Sequence, residues 1–130
     1  MSLDCNNTDR SYLFGRLLAV ADKAENDSYD AADRGKRVTN AKRYWNKFAS
    51  RPYRTWQVIE ERLRPYLDKL GVYSVRYERL IQEITDKMSF DDFTSPAALE
   101  PAYLLGYHNQ LSEFYTRKEN TENTENTEED

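Results

Sequence analysis

Apolar residues recur at three- and four-residue steps along most of the chain. Sustained strand-like alternation beside a turn pair such as Asn-Gly is missing, so the pattern predicts helices and no sheet. Leu13, Leu17, Ala21 and Ala24, with Leu18 and Val20 flanking, predict a first helix over roughly 9–26, capped by Thr8 or Asp9. A polar, acidic connector from Asn26 to Gly35 follows. Ala41, Tyr44, Trp45 and Phe48 mark a second helix over about 39–49, with Thr39 or Asn40 as cap. Ser50-Arg51-Pro52 breaks it, and Pro52 suits the first turn of a third helix. That helix carries Trp56, Ile59, Leu63, Leu67 and Leu70 and ends at Gly71, with Pro65 expected to kink or break it. A fourth helix spans about 74–88 through Tyr77, Leu80, Ile81, Ile84 and Met88. Ser95-Pro96 opens the last helical region, bent at Pro101 and continued to about 117 by Leu104, Leu105, Tyr107, His108, Leu111 and Tyr115. The fold class is all-α, a compact bundle of about five helices joined by short segments.

A chain of 130 residues suits one domain, here residues 1–118, and no apolar run approaches the roughly 18 residues of a membrane span. The N-terminus lacks the basic-then-apolar order of a secretory signal, so a cytoplasmic location is the expectation, with no membrane partner. Cys5 alone excludes an internal disulfide, and one Cys with one His cannot form a Cys/His zinc site.

The net charge of −4 conceals a strong asymmetry. Residues 1–33 carry net −4, residues 34–79 net +9, residues 80–118 net −3 and residues 119–130 net −6. The last segment, three copies of Glu-Asn-Thr followed by Glu128-Glu129-Asp130, has no apolar residue to offset the entropy of ordering and is expected to be a disordered acidic tail. Such a tail serves either as a solubilising appendage or as a polyanion that competes for the basic middle.

Catalytic groups are few. His108 lies in an aromatic-rich helix segment, and Cys5 has no activating neighbour in sequence. Glu60-Glu61 and Asp91-Asp92 are adjacent pairs, which point in different directions instead of converging. Gly35-Lys36-Arg37 lacks the upstream glycine and the Ser/Thr of a phosphate loop. The expectation is no enzyme, no catalytic residue, no metal and no cofactor.

The strongest signal is the run from Arg34 to Arg54: eight basic residues, no acidic one, with Tyr44, Trp45, Phe48 and Tyr53 interleaved. Rows of cations suit phosphate backbones, and flat rings suit unpaired bases. Trp45 and Phe48, three apart, are expected to face the core with Ala41, leaving Tyr44 and Tyr53 as the exposed rings. The expected phosphate contacts are Lys42, Arg43, Lys47, Arg51 and Arg54 first, then Lys36, Arg37, Arg62 and Arg64. Without a base-reading motif, binding would be led by the backbone and indifferent to sequence.

Several segments, in order, resemble the C-terminal region of the large subunit of type I-C CRISPR Cascade complexes. They are Tyr12-Leu13-Phe14-Gly15-Arg16-Leu17-Leu18-Ala19-Val20, Lys42-Arg43-Tyr44-Trp45-Asn46-Lys47-Phe48-Ala49-Ser50, Arg62-Leu63-Arg64 and Leu67-Asp68-Lys69-Leu70. Leu80-Ile81-Gln82-Glu83-Ile84, Leu104-Leu105-Gly106-Tyr107-His108-Asn109-Gln110 and Phe114-Tyr115 complete the series, which covers about residues 10–118. A chain of this length opening on Met1 resembles the small subunit of that complex, which in the family is made from an internal start in the large-subunit gene. The resemblance implies a helical, non-catalytic subunit beside the guide-RNA filament, holding target and displaced strands in the R-loop. The implied partners are the large subunit, the backbone filament subunits, neighbouring copies of itself, guide RNA and target DNA. The rival of a different class is a helical assembly module with its basic face against an acidic protein surface, contacts that tyrosine-rich edges, ten Tyr in all, suit.

Overall fold

The structure, a computed structural model, describes residues 3–116. The expected disorder of residues 119–130 and the domain end at 118 lie outside the described residues. Helix α1 (Arg10–Ser28) starts where the Asp9 carboxylate accepts a hydrogen bond from the Tyr12 N–H at 3.1 Å. Helix α2 (Asn40–Arg43) is capped by Thr39, whose hydroxyl accepts from the Lys42 N–H. Helix α3 (Trp45–Ser50) follows after an interruption at Tyr44, so the expected second helix is two short pieces. Helix α4 (Pro52–Leu70) begins on Pro52 and ends at Gly71, whose φ of 62° is a conformation that favours glycine. Pro65 does not break α4. One missing N–H leaves one bond unmade on an exposed face, while Leu63 and Leu67 anchor both halves in the core.

A 3₁₀ turn (Gly71–Tyr73) leads to α5 (Ser74–Asp86). Helix α6 (Phe90–Thr94) is an element that the apolar pattern does not predict; Ser89 caps it by accepting from the Asp92 N–H at 3.1 Å. Residues 95–101 are not helical, and α7 (Ala102–Glu129, described to residue 116) closes the fold. Among the described residues there is no strand, so the all-α bundle stands, with two short helices beyond the expected five.

Helix α1 is the axis. Every residue from Ser11 to Asp22 is buried, with α7, α4, α5 and α2 packed round it. Ser11 meets Glu100, Arg16 meets Gln110 and Lys23 lies over the Tyr115 ring, so α1 and α7 run in the same direction. Their closest approach is through two glycines. A Cβ at Gly15 would overlap the Tyr103 carbonyl and lie 2.9 Å from the Tyr107 nitrogen; a Cβ at Gly106 would overlap the Tyr12 carbonyl.

A helix enclosed on all sides must have its polar groups satisfied internally. The Arg10 guanidinium donates to the carbonyls of Asp92, Ser95 and Ala97 at 2.7–3.0 Å, tying down the segment after α6. Asp22 accepts from the hydroxyls of Thr39 and Tyr107. Glu25 accepts from the Tyr29 hydroxyl and from the backbone and side-chain N–H groups of Asn40. Asp27 accepts from Tyr77 and pairs with Lys23 at 2.6 Å. Acidic residues of the first third therefore serve as internal acceptors.

These contacts have a pH signature. Burial, then the Glu25 and Asp27 carboxylates, push the Tyr29 and Tyr77 phenols above their ordinary value; burial and Asp22 do the same for Tyr107. An acid whose folded value is raised contributes stability that is complete below its unfolded value and is lost as pH rises from there. The melting temperature should therefore hold up to the ordinary tyrosine pKa of about 10 and fall above it. Tyr107→Phe should flatten part of that fall. Ionisation of all ten tyrosines together near pH 10 in the folded chain would contradict this.

Candidate nucleic-acid interface

All nine expected contact residues are exposed. Three of them, Arg54, Arg62 and Arg64, lie on helix α4. One of its faces is buried through Trp56, Ile59, Leu63 and Leu67. Arg51, Arg54, Val58, Arg62 and Pro65, at three- and four-residue steps, form a neighbouring stripe beside it.

Three clefts meet along this stripe. The middle one, about 560 Å³, lies between α3 and α4 and is lined by Tyr44, Lys47, Arg51, Arg54, Val58 and Arg62, among others. It shares Arg51 and Arg54 with a cleft of about 380 Å³ closed by Tyr53 and the Thr94–Ser95–Pro96 segment. It shares Arg62 with a cleft of about 470 Å³ reaching Arg37 and Arg43 past Asn40 and Tyr66. The shared residues set the three side by side along α4, and this row of adjoining clefts is the channel referred to below. From Arg51 to Pro65 the helix rises about 21 Å, a length over which a B-form strand carries about six phosphates.

The channel gathers Arg37, Arg43, Lys47, Arg51, Arg54 and Arg62 from the expected set. Among the described residues none of these six is in an ion pair; the pairs are Lys23–Asp27, Arg64–Glu78 at 3.2 Å and Lys69–Asp30 at 3.6 Å. Glu25 also lines the channel, but its carboxylate already accepts from Tyr29 and Asn40. Lys36 and Lys42 are exposed outside the channel linings, and Arg64 turns to Glu78 on α5. Arg76 and Arg79 line a different cavity. Arg34 closes the end of α1 by donating to the Tyr29 and Asp27 carbonyls. Arg64→Ala should accordingly weaken nucleic-acid binding by less than half as many logarithmic units as Arg54→Ala in the same titration; equal losses would mean that the channel is not the contact surface.

Ring chemistry in the channel is largely occupied. Tyr44 carries Lys47 and Arg62 over its ring at 5.8 and 5.6 Å. Tyr53 packs edge-on to Phe93 with ring centres 5.0 Å apart. Phe48 and Ala41 are buried, and half-buried Trp45 packs against Tyr107 at 4.9 Å. The arrangement therefore offers cations more readily than stacking platforms. The Thr94–Pro96 wall was not foreseen from sequence, although Ser89 followed by Asp92 three positions on is a readable helix start.

His108 is exposed beside the Tyr107 ring, Cys5 is exposed, and no group of three metal-ligating side chains occurs among the described residues. No helix among them is long and apolar enough to cross a membrane.

Fold and channel together define an all-helical module whose α2, α3, α4 and connecting segments bring six cations to adjoining clefts, none of them in an ion pair among the described residues. The family model for CRISPR-associated protein (Cas_Csd1) matches residues 1–115, and the chain belongs to that family. The resemblance seen in the ordered helical segments is thereby borne out at the level of a CRISPR-associated, Cascade-type component. No curated protein matches the chain.

Proposed function

We propose that the chain is the small subunit of a type I-C Cascade complex, a non-catalytic cytoplasmic component that binds nucleic-acid backbone without sequence preference and stabilises the R-loop. The observation that carries this reading is the channel: six exposed cations, none in an ion pair among the described residues, aligned along α4 and its neighbours. Cation–phosphate contacts supply affinity that is independent of sequence, while base pairing to the guide reads the target. Its partners on this reading are the large subunit, the filament subunits, neighbouring copies, guide RNA and target DNA. A single channel offers few contacts, so much of the affinity arises from several copies in a row.

The test is binding of fluorescent single-stranded DNA by the full chain at several salt concentrations, using oligothymidine and a mixed sequence of equal length. The reading expects salt-sensitive affinities that agree within about threefold between the two sequences. A second reading, the assembly module without nucleic-acid contact, draws on the exposed apolar knob Val72, Tyr73 and Val75 between α4 and α5. Absence of binding to either oligonucleotide at low salt would favour it.

A further inference from the structure

On another side of α1, between that helix, α5 and α7, lies a cavity of about 330 Å³. Arg16, a residue only 2% exposed, is among the residues that line it, with Leu3 and Cys5. Its Nε donates to Gln110 Oε1 at 2.8 Å, but its Nη1 is buried without a hydrogen-bond partner among the described residues. Such a group is costly to leave unmade, and more so when charged. Burial pulls the Arg16 pKa down, while Cys5 and Tyr12, then Glu83 and Glu113, act in the opposite direction.

Arg76 and Arg79 on α5 line the same cavity and are exposed. Arg76 lies over the Tyr77 and Phe114 rings, at 5.2 and 6.0 Å, which fixes it at the rim. Against these three guanidiniums stand the two carboxylates of Glu83 and Glu113, leaving one positive charge, and Leu80 and Phe114 add apolar wall. A nucleic-acid strand, negative at every residue, would meet both glutamates. One carboxylate amid apolar contacts meets the surplus charge and the buried fork of Arg16 together. We propose that this cavity is a socket for a single acidic side chain, Asp or Glu, presented by a protein partner. The chain thus has two interaction faces of different chemistry, the channel for phosphates and the socket for protein. The socket does not depend on the channel's role.

The test follows the Arg16 Nε–H resonance in ¹⁵N-labelled full chain at low salt. Capped glutamate (N-acetyl-glutamic acid α-amide) and dimethyl phosphate are titrated separately. The expected result is a saturable shift with capped glutamate at a Kd in the millimolar range, roughly the scale of a single small contact. Arg79→Ala and Arg76→Ala, both at exposed positions, should each weaken it about tenfold. Lys47→Ala/Arg51→Ala/Arg54→Ala should leave it unchanged, so that failure of the socket and failure of the channel are separate results. Equal or tighter binding of dimethyl phosphate would overturn the proposal in favour of a phosphate site. No shift with either probe at 100-fold excess over the protein and upward into the range of about 0.1 M would reduce Arg16 to a solvated structural arginine.

Discussion

Gly15→Ala should lower the melting temperature by about 10 °C, from a stability loss of about 3 kcal/mol. Helix propensity alone argues the other way, since alanine in a helix interior is worth about 1 kcal/mol over glycine. The sign is decided by space. The new methyl group would overlap the Tyr103 carbonyl and stand 2.9 Å from the Tyr107 nitrogen, both backbone atoms that cannot move without α7 moving. Separating α1 from α7 would also stretch the bonds between Tyr107 and Asp22, Arg16 and Gln110, and Asn109 and Tyr12, all buried. Gly106→Ala meets the Tyr12 backbone from the opposite side and should behave alike. Thermal unfolding of the two variants checks this; a melting temperature equal to or above that of the parent chain would show that the helices do not depend on that approach.

The parts of this fold that are legible in sequence are the local ones. Asp9, Thr39, Pro52 and Gly71 mark helix ends because a cap or a stop acts within one turn. The role of α1 as the axis is less legible. Its Arg16, Asp22 and Glu25 suggest a solvent face, yet their partners lie up to 94 residues away in sequence. Pairing across such separations leaves no periodic trace. Tyr77 with Asp27 and Tyr107 with Asp22 are contacts of the same kind.

The channel was legible as a concentration of charge but not as a list of residues. Membership depends on the rotation of α4. Arg62 lies on the channel stripe, whereas Arg64, two residues on and about 200° further round, reaches Glu78. Arg76 and Arg79 continue the basic run in sequence, but α5 turns them towards the socket. Arg16 was hidden as a single charge within an apolar stretch, a position where a buried cation is more informative than an exposed one.

The central claim concerns phosphate contact in the channel. Lys47, Arg51 and Arg54 line its middle section, are exposed and have no ion-pair partner among the described residues, so replacing them removes charge without unmaking an internal salt bridge. Surface substitutions of this kind change folding stability little, within about 0.5 kcal/mol. Their effect on a polyanion should be large, because each cation that neutralises a phosphate on a single strand contributes about 0.7 to the slope of log affinity against log salt. The most direct measurement is that slope, for single-stranded DNA, in the parent chain and in Lys47→Ala/Arg51→Ala/Arg54→Ala, with thermal melting as the check on folding. The channel predicts a slope shallower by about 2 and an affinity lower by tenfold or more at low salt; an unchanged slope in a folded variant would contradict it.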